Sequence, residues 1–362
     1  MKHRFEEVLD IYNGRNQKKV ENTEGQYPIY GSGGIMGYAD EYICPAETVI
    51  IGRKGSINNP IYVEEHFWNV DTAFGLVANK EKLEPKYLFY FCKMFDFDKL
   101  NTTVTIPSLT KANLLKVEIP ILELHEQKEI VNVLDKTQRI IDMKQRELEE
   151  LDNLIKSRFV EMFGDPIINP KGWEMVTIGD IATDVRYGTS RPAVEGGRYP
   201  YLRMNNLTID GHLDLSDLKY IDIPEGEFEK CIVKKGDILF NRTNSIELVG
   251  KTAVFDLAED MIIAGYIIRV RLNDRLLPEI LAQYMNLEAI KDILRGMAKG
   301  AVNQANINAQ ELQSIKVYIP DMELQEQFLR MKTQVTKLKF EVQKSLDETQ
   351  TLMDSLMQQY FG

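Results

Sequence analysis

The sequence predicts an α+β protein in which two globular domains are joined by two long antiparallel α-helices, a coiled coil with pseudo-two-fold symmetry. Three observations predict it. The chain repeats itself: Ile119-Pro120 is followed by Leu124, Glu126 and Gln127, and the same words return 200 residues later as Ile319-Pro320, Leu324, Glu326 and Gln327. Each copy runs into a segment with heptad spacing of apolar residues. Each segment closes on Phe-Gly, at Phe163-Gly164 and Phe361-Gly362. The expected boundaries are domains over 1–121 and 166–320, and helices over 122–165 and 321–362.

Residues 1–121 alternate short apolar runs such as Thr48-Val-Ile-Ile51 with glycine punctuation at Gly31-Ser-Gly-Gly34 and Gly52-Arg-Lys-Gly55, a pattern of strands and turns. A helix is expected over 85–97. In the first long segment Leu134, Ile141, Leu148, Ile155 and Met162 fall every seven residues, with Ile130 and Leu151 at the companion position and Thr137 and Lys144 interrupting it. An average period of 3.5 means packing against another long helix. At ~1.5 Å per residue the segment would reach roughly 60 Å. Gly164-Asp-Pro166 stops it.

Residues 166–320 restart the first pattern. Val176-Thr-Ile-Gly-Asp-Ile181 resembles Phe5-Glu-Glu-Val-Leu9, Tyr199-Pro200 matches Tyr27-Pro28, and Gly236-Asp-Ile-Leu-Phe-Asn-Arg242 corresponds to Thr48-Val-Ile-Ile-Gly-Arg53. Asn303-Gln-Ala-Asn-Ile307 stands where Thr105-Ile-Pro-Ser-Leu109 stood. The second helix carries a seam of Phe328, Val335, Val342, Thr349 and Leu356, with Met331, Leu338 and Leu352 between. Only a short connection separates the first helix from the second domain, so the second helix is expected to run back antiparallel. Two related readers on a rigid spacer are how proteins address two half-sites of DNA.

Composition bounds the function. A chain of 362 residues, 44% hydrophobic, can bury two cores. Its three cysteines, Cys44, Cys92 and Cys231, make neither a metal spacing nor a disulfide framework. With no apolar leader in MKHRFEEVLD and no run long enough to span a bilayer, a soluble cytoplasmic protein is expected. The net charge of −11 argues against a stand-alone nucleic-acid binder, but acidic helices can coexist with basic loops elsewhere.

On Tyr27-Pro-Ile-Tyr-Gly31, Asn69-Val-Asp-Thr72, Gly236-Asp-Ile-Leu239 with Arg242, and the repeated Ile-Pro…Leu-x-Glu-Gln words, the whole chain resembles the specificity (S) subunit of type I restriction–modification systems. The resemblance implies two target recognition domains, each reading half of a bipartite, asymmetric DNA site. It implies helices that act as ruler and docking surface. The implied partners are double-stranded DNA, two methyltransferase subunits and two motor-nuclease subunits. S-adenosylmethionine, ATP and Mg2+ would belong to those partners, leaving this chain non-catalytic and without cofactor or metal. The specificity subunit of a bipartite type II system shares the architecture. The first domain is compact beside the second, so its half-site could be read differently.

Candidate DNA contacts follow from residue type. Arg53 and Lys54 follow an apolar strand; arginine fits guanine as a fork and lysine neutralises phosphate, while the plain alternative is solvated turn charge. Arg242, Thr243, Asn244 and Ser245 form the matching loop, where asparagine could pair with adenine or simply favour a turn. Asn303, Gln304 and Asn306 make a polar cluster that could equally cap a helix. Arg186, Tyr187, Ser190 and Arg191 around Gly188, and Arg15, Asn16, Lys18 and Lys19 after Gly14, could track the backbone or be solvated faces. Arg203, Asn205 and Asn206 complete the set.

Apparent catalytic signals fail. The run 31–37 lacks the Gly-Lys-Ser/Thr of a phosphate loop and reads as a turn. Asn58-Asn-Pro-Ile-Tyr62 lacks the second proline of the amino-methyltransferase motif, Asp217-Leu-Lys219 lacks the other nuclease acids, and the four histidines are scattered. A self-contained nuclease or methyltransferase therefore has no constellation to rest on. A pure coiled-coil adaptor would leave the duplicated loop-rich domains without a role.

Overall fold

The structure, a computed structural model, describes residues 1–54, 56–100, 108–301 and 304–362. It is α+β, with two β-rich domains and two helices of 40 residues each, Leu124–Phe163 and Met322–Phe361, packed together. The chain divides into two compact units, one of residues 1–147 with 342–362 and one of residues 148–341. Each unit thus holds a domain, the adjoining part of one long helix and a stretch of the other.

In the first unit a four-stranded antiparallel sheet runs Leu9–Asn13, Ala73–Ala78, Thr48–Gly52, Ile61–Val63. Thr48–Gly52 is buried along its whole length, which is why it reads as an unbroken apolar run rather than an alternation. A second sheet joins Gly34–Ala39, Tyr27–Gly31 and Trp68–Asn69, the last pair parallel. The helix Pro85–Met94 starts on a proline that needs no N–H partner there, and it presses Tyr87, Leu88 and Phe91 into the core. Ile130, Leu134 and Ile141 of one long helix and Met353 and Met357 of the other close that core. Phe361 packs edge-on against Tyr87 at 4.9 Å.

The second unit repeats the plan. Its four-stranded sheet runs Ala182–Tyr187, Ile267–Leu272, Ile238–Asn241, Thr252–Val254, and its other large sheet again contains one parallel pair, Tyr199–Leu202 with Met261–Ile263. Phe163 ends the first long helix. Its carbonyl accepts from Trp173 Nε1 at 2.7 Å, and the Gly164 carbonyl accepts from the Tyr318 hydroxyl at 3.2 Å. Carbonyls at a helix end that would lack partners are thereby satisfied. Phe328 stacks edge-on against Phe159 at 5.2 Å and Phe163 at 5.5 Å. Lys339 pairs with Asp152 further along, so within this unit the helices run antiparallel.

Two expectations need correction. The seam of the second helix does not include Leu338 or Leu352, which are 48% and 52% exposed. A straight α-helix drifts ~20° per heptad, so after Val342 the buried face passes to Leu346, Met353 and Met357 and leaves Leu352 outside, whereas at Leu338 the inward position is taken by the next residue, Lys339, which pairs with Asp152. The repeat also shifts. Ile-Pro recurs at 200 residues, but the helices and their closing Phe-Gly recur at 198, Leu124–Phe163 against Met322–Phe361.

The equivalent glutamines are therefore Gln127 and Gln325, both fully buried, and not Gln127 and Gln327. Gln127 accepts from Glu84 N–H (2.9 Å) and donates to Lys82 O and Leu122 O. Gln325 accepts from Leu277 N–H (2.9 Å) and donates to Arg275 O and Pro320 O. Each amide ties the start of a long helix to the start of the domain helix beside it. Gln325→Leu leaves a backbone N–H and two carbonyls without this partner. The expected cost is about 1–3 kcal/mol, read as a lower unfolding midpoint, with Gln127→Leu behaving alike in the first unit.

The three cysteines are free and buried, and burial raises the thiol pKa of each. Among the described residues no helix is long and apolar enough to cross a membrane.

Candidate nucleic-acid interface

One backbone frame occurs twice. In the first domain residues 69–73 accept from Arg15 N–H at Asn69 O (2.8 Å), from Gly14 N–H at Ala73 O (3.2 Å) and from Arg53 N–H at Thr72 O (2.7 Å), while Val70 N–H donates to Tyr30 O (3.0 Å). In the second, residues 263–267 accept from Thr189 N–H at Ile263 O (2.9 Å), from Gly188 N–H at Ile267 O (3.2 Å) and from Arg242 N–H at Tyr266 O (2.9 Å), while Ala264 N–H donates to Leu202 O (2.9 Å). Leu109 N–H closes on Arg53 O (3.0 Å) and Ile307 N–H on Arg242 O (2.9 Å). One arginine in each domain is therefore held on both sides of its peptide, at the end of a buried strand.

The glycines before the basic loops have a steric cause. A Cβ on Gly14 would lie 1.7 Å from Val70 O, and one on Gly188 would lie 2.1 Å from Ile263 O. No side chain fits where the two backbones cross.

The side chains differ more than the backbone. Arg53 is exposed, with its guanidinium 5.7 Å from the centre of the Phe74 ring. Arg242 is half-buried over Tyr187 at 4.9 Å, and its Nε is buried without a partner. Three other predicted cations are balanced within the domain. Arg186 pairs with Asp184 at 2.8 Å, Arg203 with Asp217 at 2.7 Å, and Arg191 grips Glu227 with two bonds at 2.7 and 3.1 Å. The Arg191 hydrogen bond holds the Glu227 carboxyl below its usual pKa, and bonds from Lys219 and then Arg203 do the same for Asp217. Arg15, Lys18, Lys19 and Lys54 are exposed.

Ser190, Arg191, Arg203, Asn205, Arg242 and Tyr266 line one cleft of about 570 Å³. Thr243 and Asn244 lie outside it. They form a short strand paired with Gln304–Asn306 rather than a loop. Thr243 is buried with its hydroxyl on Asn306 Oδ1 (2.9 Å), and the Asn244 amide is held by Asn241 and by Ser245 N–H. Asn206 is also internal, bonded to Arg203 N–H and Asp214 O. Asn303 lies outside the described residues, as do Gly55 and residues 105–107. Asn58 brackets Phe97 N–H and Asp98, and Asp217 binds Arg203 and Lys219, so both apparent catalytic words are structural.

Tyr266 escaped the sequence reading. It holds the place that Thr72 holds in the first frame, and only the hydrogen-bond pattern aligns two such different residues.

Comparison with known proteins places this architecture. The type I restriction modification DNA specificity domain matches residues 1–153 and 170–349. The chain is 24% identical over 341 residues to the type I restriction enzyme EcoKI specificity subunit of Escherichia coli K12, covering 87% of this chain and 73% of that one. The crystal structure of the S subunit from M. genitalium shares the fold with a TM-score of 0.60 at 17% identity, over 100% of this chain and 96% of that one. A structure from work on complex assembly and conformational transition of the type I R-M system gives a TM-score of 0.61 at 19% identity, over 100% of this chain and 97% of that one. With its duplicated domains and paired long helices, this chain belongs to the type I restriction–modification specificity subunits, the non-catalytic DNA-recognising family of those systems.

Proposed function

We propose that each domain reads one half of a bipartite, asymmetric DNA site, while the long helices set the unread spacer and dock two methyltransferase subunits. Two motor-nuclease subunits complete the assembly, and S-adenosylmethionine, ATP and Mg2+ act on those partners. The complex works on double-stranded DNA in the cytoplasm. The observation that carries this reading is the duplicated frame, which presents Arg53 in one domain and Arg242 in the other. Arg15, Lys18, Lys19 and Lys54 supply phosphate contacts in the first domain. Ser190, Arg191, Arg203 and Asn205 line the cleft with the arginine of the second, and Arg186 adjoins the Tyr187 on which it stacks. The chain's acidic balance makes a partner necessary for tight binding, because phosphate contacts dominate affinity.

The test is co-purification with a methyltransferase subunit, followed by sequencing of the modified DNA. A split motif with an unread spacer is expected. A continuous motif, or no modification by a complex that does assemble, overturns the reading.

A further inference from the structure

The run Gly31-Ser-Gly-Gly-Ile-Met-Gly37 folds as a hairpin, with Gly31 opposite Gly34 and Tyr30 opposite Ile35. The register then slips: Ile29 faces Gly37, leaving Met36 as the extra residue of a bulge. A bulge re-aims side chains that would otherwise alternate. Ile35 and Met36, adjacent in sequence, are 54% and 61% exposed.

The hairpin turn stands beside the first arginine. A Cβ on Gly52, the residue before Arg53, would meet Ser32 Cβ at 3.0 Å. The strand leading into the turn is the one whose Tyr30 carbonyl takes Val70 N–H of the frame. The matching carbonyl in the second domain is that of Leu202, and the residues that follow it are Arg203, Met204 and Asn205. After the same point of the frame the first domain places Gly31-Ser32-Gly33 and turns back into Ile35 and Met36, where the second domain places Arg203-Met204-Asn205.

A two-stranded ribbon fits the major groove, where the thymine C5-methyl is the one apolar group on a base edge. Ile35 and Met36 stay more than half exposed on a hairpin whose turn residue Ser32 lies beside Gly52, the residue before exposed Arg53, which suits a phosphate-flanked groove. We propose that Ile35 and Met36 are specificity residues of the first domain, reading thymine methyl groups in its half-site beside Arg53. The proposal rests on the half-site reading above.

The experiment uses the complex with its methyltransferase subunit and duplexes carrying its split motif, with deoxyuridine replacing thymidine in one half-site at a time. That exchange removes the methyl and keeps the pairing. Affinity is expected to fall about four-fold per contacted methyl in one half-site, the ratio given by ~0.8 kcal/mol per buried carbon group. The variant Ile35→Ala/Met36→Ala, altered only at exposed positions, is expected to assemble normally and to bind thymidine and deoxyuridine duplexes equally in that half-site.

Wild-type indifference to deoxyuridine in both half-sites overturns the proposal. So does unchanged methyl sensitivity in the variant, or a variant that fails to hold the methyltransferase subunit, which would make the hairpin a protein-docking element. Absence of any split motif removes the half-site reading itself, whereas a split motif without methyl dependence removes only the hairpin assignment.

Discussion

Arg242→Ala is expected to weaken recognition of one half-site by about 1–3 kcal/mol, roughly five- to 150-fold, and to leave the other half-site intact. Arg242 is fixed through its peptide to Tyr266 and Ile307, and its guanidinium is stacked on Tyr187. Unlike Arg186, Arg191 and Arg203, it has no carboxylate partner among the described residues; its Nε, like that of Arg203, is buried and unpartnered. A pre-ordered, uncompensated fork loses little freedom on binding a guanine edge.

Arg242→Lys separates two roles. Lysine keeps the charge and loses the fork, so a phosphate contact would survive it and a base contact would not. Competition binding by the assembled complex and sequencing of modified DNA read both effects. Arg53→Ala is expected to act on the opposite half-site. Equal loss of both half-sites in either variant would remove that arginine from the recognition surface.

Arg269→Ala is expected to destabilise the second unit by about 3–5 kcal/mol. Arg269 lies in the strand Ile267–Leu272, with a side chain 1% exposed, bonded to Asp184 and to Ile232 O and 4.0 Å from Asp237. Removing it strands Asp184 with only the exposed Arg186, while Asp237 keeps Arg271 at 2.8 Å. Trp68 and Trp173 report separately on the first and second units, so denaturant unfolding followed in single-tryptophan variants locates the loss. A cost shared equally by both tryptophans would show that the units unfold as one.

The same network sets an acid limit. Burial, the largest single influence on Asp184, raises its pKa, but the hydrogen bonds and charges of Arg269 and Arg186 together outweigh it, leaving the pKa below the usual value. A folded-state pKa below the unfolded value of ~3.9 means stability present above that pH and lost as pH falls from it through the lower folded value. Wild-type protein should therefore lose stability below about pH 4 more steeply than Arg269→Ala, in which this contribution is already gone.

Much of the fold is legible in local patterns. Leu134, Ile141, Ile155 and Phe328 fall on the packed face because a heptad period is a property of a few adjacent turns. The alignment of Arg53 with Arg242 holds because an apolar strand ending in a polar turn can be recognised without its neighbours. Leu352 shows where such patterns stop, since the drift of a straight helix accumulates over tens of residues. The slip from 200 to 198 shows it again. Glu-Gln words match by letter, but burial against Glu84 and Leu277 decides which glutamine is equivalent.

By itself the sequence determined the duplicated α+β plan, the long helices and the family, because repeats and periods are written along the chain. The tertiary structure alone decided which cations are uncompensated. Arg186, Arg191 and Arg203 meet carboxylates 2, 36 and 14 residues away, and Arg242 meets Tyr187 instead. Charge pairing depends on distance in space at a given burial, and composition and spacing along the chain do not encode that distance.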